Sequence, residues 1–188
     1  MIKQMTTKQA LDLYDILKKD FPPGEIPSFV DYQKRVEQQD YEVYSYLHNE
    51  VEKAYLVCRE KQNSVVLLFF AVTEKDRGQG VGTRCLQEFI ASSKQKDGII
   101  IEVERIEDAL NAEEKRIRQK RIHFYERLGF KKIEQIQYEL YHIKLDLMLL
   151  PLRKPNMSLS QIIEIMRQVY HDISQDTEVF KITYKISE

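Results

Sequence analysis

The chain has 188 residues, 31% of them charged and 43% hydrophobic, with a formal net charge of −1. That length suits one domain with a real core, and the balanced charge excludes a basic field that would draw nucleic acid or an anionic membrane. The longest apolar run is too short to span a bilayer, "MIKQMTTKQAL" has no signal-peptide core, and Cys58, Cys85 and the four histidines show no metal-ligand spacing, so we expect a cytoplasmic protein with two reduced thiols and no metal.

In chain order, Thr6 and Gln9 form a capping box for a first helix, with Leu11, Tyr14, Ile16 and Leu17 as its apolar stripe and Pro22-Pro23-Gly24 as its stop. Ser28 starts a shorter helix that carries Phe29, Val30, Tyr32 and Val36. Three strands follow: "YEVYSYL" (41–47), "KAYLVCRE" (53–60) and "SVVLLFFAV" (64–72), the last two joined by a hairpin turn. "SVVLLFFAV" is apolar on both faces, which places it centrally in a sheet covered on both sides. After a glycine loop comes a helix from about Val81 to Lys94, then the strand "GIIIEVE" (98–104). A charged connection leads into the helix "KRIRQKRIHFYERL", closed by Gly129 at the C′ position with Phe130 as the apolar contact behind it. Strands near 132–138 and 142–150 make a hairpin. The tail holds a helix from Ser158, capped with Gln161, to about Ile173, and an alternating strand "VFKITYKIS" with Phe180, Ile182, Tyr184 and Ile186 on one face. This order reads as α/β with a mixed sheet.

The loop between "SVVLLFFAV" and its helix packs Gly78, Gly80 and Gly82 into five positions. The first N–H groups of a helix have no internal partners, the dipole adds positive charge there, and glycines let a phosphate approach the main chain. A phosphate or pyrophosphate ligand follows. The loop ends Gly82-Thr83-Arg84 without the lysine of a P-loop, and a GxGxxG reading from Gly78 puts Thr83 where the third glycine belongs, so neither a triphosphatase nor a dinucleotide-binding loop fits.

"AVTEKDRGQGVG" resembles the acyl-CoA-binding signature of the GNAT superfamily of N-acetyltransferases, Arg/Gln-x-x-Gly-x-Gly/Ala, matched by Arg77, Gly80 and Gly82. "FYERLGF" (124–130) resembles the family's second signature, Tyr-x-x-x-Gly-Phe, one βα unit later. The resemblance implies a mixed, mostly antiparallel sheet splayed between its fourth strand, "SVVLLFFAV", and its fifth, "GIIIEVE", with flanking helices. The resemblance covers about residues 1–150; we expect that domain over 1–155 and, outside the resemblance, a helix–strand extension over 156–188 packed on the same domain. Acetyl-CoA is the implied co-substrate: the backbone of Phe70 and Val72 would pair with pantetheine, N–H groups of Gly78, Gln79, Gly80, Val81, Gly82 and Thr83 would take the pyrophosphate, and Arg77 would add charge. The implied acceptor is a primary amine of a small molecule, peptide or protein.

Amine attack on a thioester needs a base for the amine, a polarised carbonyl and a proton for the thiolate. The motif tyrosine, Tyr125, is the implied acid. For the base, "IEVE" places Glu102 where some relatives carry a glutamate, on the same strand face as Glu104; the plainer reading is a glutamate pair solvated or bridged to Arg105 or Arg121. Glu25, in the "FPPGEIPS" loop on the acceptor side, is a further candidate, and a water chain would also serve. Two positions depart from the family: Arg118 and Arg121 stand where many relatives have asparagine and alanine, seven and four residues before the motif tyrosine. The acidic residues Glu102–Glu114 followed by the basic residues Lys115–Arg121 read as an ion-paired helix. Two rival readings remain: a non-catalytic acyl-CoA-binding module, and an interaction protein whose strand at 178–187 pairs with a partner's sheet edge, as in a homodimer; the plainer reading of that strand is an edge strand that completes the monomer.

Overall fold

The computed structural model describes residues 1–140, 143–170 and 180–184. It divides into two compact units, the first made of Met1–Glu60 and Leu67–Ser92, the second of Lys61–Val66 and Ser93–Glu188. The division cuts two strands, after residues 60 and 66, and falls at a helix end after residue 92.

The first unit opens with β1 (Ile2–Gln4), which the sequence reading did not anticipate. Three residues carry no readable period. The strand exists because it pairs antiparallel with β2 (Glu42–His48), Ile2 opposite Tyr46, and because the Ile2 N–H donates to Glu88. Helix α1 (Thr7–Asp12) starts at the Thr6–Gln9 capping box, with both reciprocal bonds in place. Leu13 interrupts it, and α2 (Tyr14–Asp20) runs on to the proline pair. Ser28 caps α3 (Phe29–Glu37). β2 and β3 (Val51–Lys61) meet through Asn49 and Glu50, both at positive φ; Gln62 and Asn63 do the same between β3 and β4 (Ser64–Val72). Such two-residue turns match the right-handed strand twist. The core of this unit joins Ala10, Leu13 and Leu17 of the helices to Val43, Tyr55, Val57 and Phe69 of the strands. Tyr32 is fully buried there, and its hydroxyl donates to the Ala10 carbonyl at 2.8 Å. Helix α4 (Val81–Ser92) buries Val81, Cys85, Leu86 and Phe89, as its apolar period required.

In the second unit β5 (Gly98–Glu104) pairs antiparallel with β8 (Ile143–Pro151), Glu102 opposite Leu147. Helix α5 (Ala112–Arg127), capped by Asn111, is longer at its start than "KRIRQKRIHFYERL" suggested, and it ends in a full Schellman motif. Gly129, at φ +94°, donates to the Glu126 carbonyl, and Phe130 donates to that of Tyr125. β6 (Lys131–Lys132) and β7 (Ile136–Leu140) both pair with β8. Helix α6 (Leu159–Tyr170) has the expected Ser158–Gln161 capping box and buries Ile162, Ile163, Ile165, Met166, Val169 and Tyr170. Its expected continuation to Ile173, and Ile186 of the final strand, lie outside the described residues. β9 (Phe180–Tyr184) pairs antiparallel with β7 of its own chain. The strand order is β1-β2-β3-β4-β5-β8-β7-β9, an open mixed sheet with β4 parallel to β5. That is the expected fold class.

Candidate active site

The glycine loop is built from its anchor outward. A 3₁₀ turn over Glu74–Asp76 follows β4, and Asp76 is its buried foot. One Asp76 oxygen accepts from the Thr73 hydroxyl at 2.5 Å, the other from Lys53 Nζ on β3 at 2.9 Å. These bonds hold the Asp76 carboxyl below the usual carboxylate range. Sequence reasoning passed over Asp76; the Thr-x-x-Asp spacing of a side-chain-closed turn was its signal.

From this foot the chain turns through Gly78 at φ +77° and Gly80 at φ +73°, a backbone region that side chains disfavour. A Cβ on Gly80 would also stand 3.2 Å from the Arg84 guanidinium. Gly80 then accepts the first α4 bond, from the Arg84 N–H. Among the described residues, the N–H groups of residues 78 to 83 donate to no backbone carbonyl. Gly78, Gln79 and Gly80 are exposed. The outcome is a run of N–H groups without a backbone acceptor at a helix N-terminus, the kind of arrangement that suits a phosphate. Arg77 behaves differently from a free cation: its guanidinium bonds Asp20 at the end of α2 at 3.1 Å and the Val72 carbonyl at 3.0 Å. It therefore fastens the loop to the end of β4. That end, Phe70 to Val72, is half-buried, whereas Ser64 to Leu67 are buried without a break. Glu25 is half-buried in the turn after α2, where its N–H donates to the Pro22 carbonyl.

In the second unit the Schellman cap fixes Tyr125. Its carbonyl receives the Phe130 N–H, and its ring meets those of Phe124 and Phe130 edge-on, at centroid distances of 5.1 and 5.6 Å. The Tyr-x-x-x-Gly-Phe signature is thus a helix stop that locks its own tyrosine. Burial pushes the Tyr125 phenol up to about 12, partly countered by Arg121 one turn earlier. The phenol stays protonated at neutral pH and is a weaker acid than in water.

Glu102 and Glu104 share a face of β5, alternating with buried Ile101 and Val103. Glu104 is bridged by Arg118 and Arg121 from α5, and Arg118 also binds Glu114 and the Arg105 carbonyl. Both departures from the family pattern therefore converge on Glu104. Glu102 has another partner: its Oε2 accepts from the Tyr170 hydroxyl of α6 at 2.6 Å. Nothing in the sequence pointed to Tyr170, which reads there as one more apolar position of an amphipathic helix. Among the described residues no group of three or more His, Cys, Asp or Glu side chains could hold a metal ion, and no helix is long and apolar enough to cross a membrane.

The model of the acetyltransferase (GNAT) domain matches residues 39–132. That span contains the glycine loop and the Tyr125 helix. No curated protein sequence matches the chain. Among solved structures, a GNAT-family protein from Bacteroides thetaiotaomicron superposes with a TM-score of 0.73 at 20% identity, covering 92% of this chain and 97% of the other. The ribosomal-protein-S18-alanine N-acetyltransferase of Escherichia coli gives 0.61 at 20% identity, covering 85% and 97%. NAA60 of Arabidopsis thaliana, in complex with acetyl-CoA, gives 0.59 at 14% identity, covering 80% and 97%. With half the chain under the family model and the fold shared almost end to end, the chain belongs to the GNAT acetyltransferases, enzymes that take their acetyl group from acetyl-CoA.

Proposed function

We propose that this enzyme is an N-acetyltransferase that moves the acetyl group of acetyl-CoA to a primary amine of a small molecule, peptide or protein. The glycine loop carries this reading: N–H groups over residues 78 to 83 that donate to no backbone carbonyl, on a backbone that only glycine adopts readily at 78 and 80, suit the pyrophosphate of CoA. The backbone of Phe70 and Val72 pairs with pantetheine, and Arg77 acts by securing the loop.

In the reaction the amine nitrogen loses its proton to Glu102 and bonds to the thioester carbon. The C–S bond breaks, and Tyr125 protonates the departing thiolate. A phenol pushed toward 12 keeps its proton until the thiolate forms, then gives it to that sulfur. Glu25 remains a candidate on the acceptor side. The alanine N-acetyltransferase activity named for one structural neighbour makes a peptide amine a natural first acceptor. Cys58 and Cys85, both buried and outside any disulfide, suit a cytoplasmic setting.

The test is calorimetric titration of acetyl-CoA into wild type and Gly80→Glu, followed by thiol release with an alanine-ended peptide, a lysine peptide and spermidine. Micromolar binding that the substitution abolishes, with an amine that speeds thiol release and is recovered acetylated, is the expected result. Wild type that binds no acetyl-CoA overturns it.

A further inference from the structure

Helix α6 lies beyond residues 39–132, which carry the family match, yet it reaches a residue of the proposed chemistry. Tyr170 is its last residue, 6% exposed, and its hydroxyl bonds Glu102 across 68 positions of sequence. Contacts at both ends bring α6 to this face of β5. Gly98, Ile100 and Glu102 alternate onto one side of the strand. A Cβ on Gly98 would stand 3.1 Å from the sulfur of Met157, just ahead of the helix cap, and Tyr170 meets Glu102 at the other end. Burial of Ile162, Ile165, Met166 and Val169 fixes the rotation of the helix, and so the direction of the phenol.

A phenol donating to a carboxylate makes a short, charge-assisted bond, and bonding to the ionised form favours that form. Glu104, on the same strand face, is bridged by Arg118 and Arg121 of α5. Leu147 stands opposite on β8 and carries no charge. On α6, Glu164 and Arg167 are exposed on the solvent side.

We propose that Tyr170 is a positioning residue: it holds Glu102 ionised and oriented to take the amine proton, so that the C-terminal extension completes the active site. This rests on Glu102 being the base. Tyr170→Phe keeps the ring in its packing and removes only the hydroxyl. The protein is labelled with carboxyl-¹³C glutamate, and the Glu102 signal is assigned by its loss in Glu102→Gln. In Tyr170→Phe the Glu102 midpoint rises by about one pH unit, since hydrogen bonds to charged groups are worth about that much. The acid limb of kcat/KM with the alanine-ended peptide, lysine peptide or spermidine moves with it, while the melting temperature stays within a few degrees. A folded Tyr170→Phe with an unmoved Glu102 midpoint overturns the proposal and leaves Tyr170 as packing. Failure of the base reading looks different: Glu102→Gln then turns over at the wild-type rate, although the midpoint shift in Tyr170→Phe is still present.

Discussion

The glycine loop and the β5 face are built in opposite ways. The loop is made of main chain: Gly78 and Gly80 take positive φ, α4 begins, and the N–H groups of residues 78 to 83 find no backbone carbonyl. Every part of it lies within a dozen residues, including the Asp76 foot. The β5 face is made of side chains from three elements. Glu102 and Glu104 come from β5, Arg118 and Arg121 from α5, and Tyr170 from α6. A site made of backbone tolerates little change at its glycines and much elsewhere. A site made of side chains fails one group at a time.

The comparison can be broken or sharpened by mutation. The largest expected effect is on chemistry alone: Tyr125→Phe lowers kcat by about 10²–10³-fold and leaves acetyl-CoA affinity unchanged. In wild type the basic limb of kcat lies above pH 10, toward 12, because burial holds the proton on the phenol. A drop in affinity equal to the drop in kcat would instead make Tyr125 part of the CoA cradle. Gly80→Glu comes next, weakening acetyl-CoA by about 100-fold through φ strain, the Arg84 clash and an added negative charge. Unfolding curves should barely move, since the loop is exposed; a collapsed melting temperature would mean that the loop serves the fold instead.

Asp76→Asn is expected to weaken acetyl-CoA several-fold by loosening the foot of the loop. Its pH signature is the sharper reading. Folded Asp76 titrates below its ordinary 3.8, mainly through Thr73 and then Lys53. The stability it adds is therefore fully present above that ordinary value and is lost as pH falls through the lower folded one. Denaturation of wild type and Asp76→Asn should show a constant gap above about pH 5 that closes in stronger acid. A gap that persists there would remove the ionised carboxylate from the account. The smallest effect is expected of Arg121→Ala. Arg121 is 47% exposed, so its pair with Glu104 is worth about 0–1 kcal/mol. Losing its charge leaves Tyr125 a weaker acid, and kcat should fall a few-fold with acetyl-CoA affinity unaltered.

Much of the fold was legible because its signals are local. The Thr6–Gln9 and Ser158–Gln161 boxes, the Gly129 stop and the unbroken apolar run of β4 each act over a few residues and hold as read. β1 was not legible: three residues become a strand only because β2 offers an edge. The glycine loop could be placed to the residue, but the commitment of Arg77 to Asp20, 57 positions away, could not. The same holds for Glu104, whose bridges to two arginines turn a departure from the family pattern into an ion cluster.

By itself the sequence determined where a glycine-turned backbone would lead into a helix and which helix would carry a capped tyrosine, because φ preference, capping and apolar period are properties of neighbouring residues. Only the tertiary structure decided what those groups experience. Burial raised the Tyr125 phenol, Lys53 from another strand secured Asp76, and the C-terminal helix put a hydroxyl on Glu102. Desolvation and long-range hydrogen bonds depend on which distant surfaces pack together, and no local window of sequence contains that information.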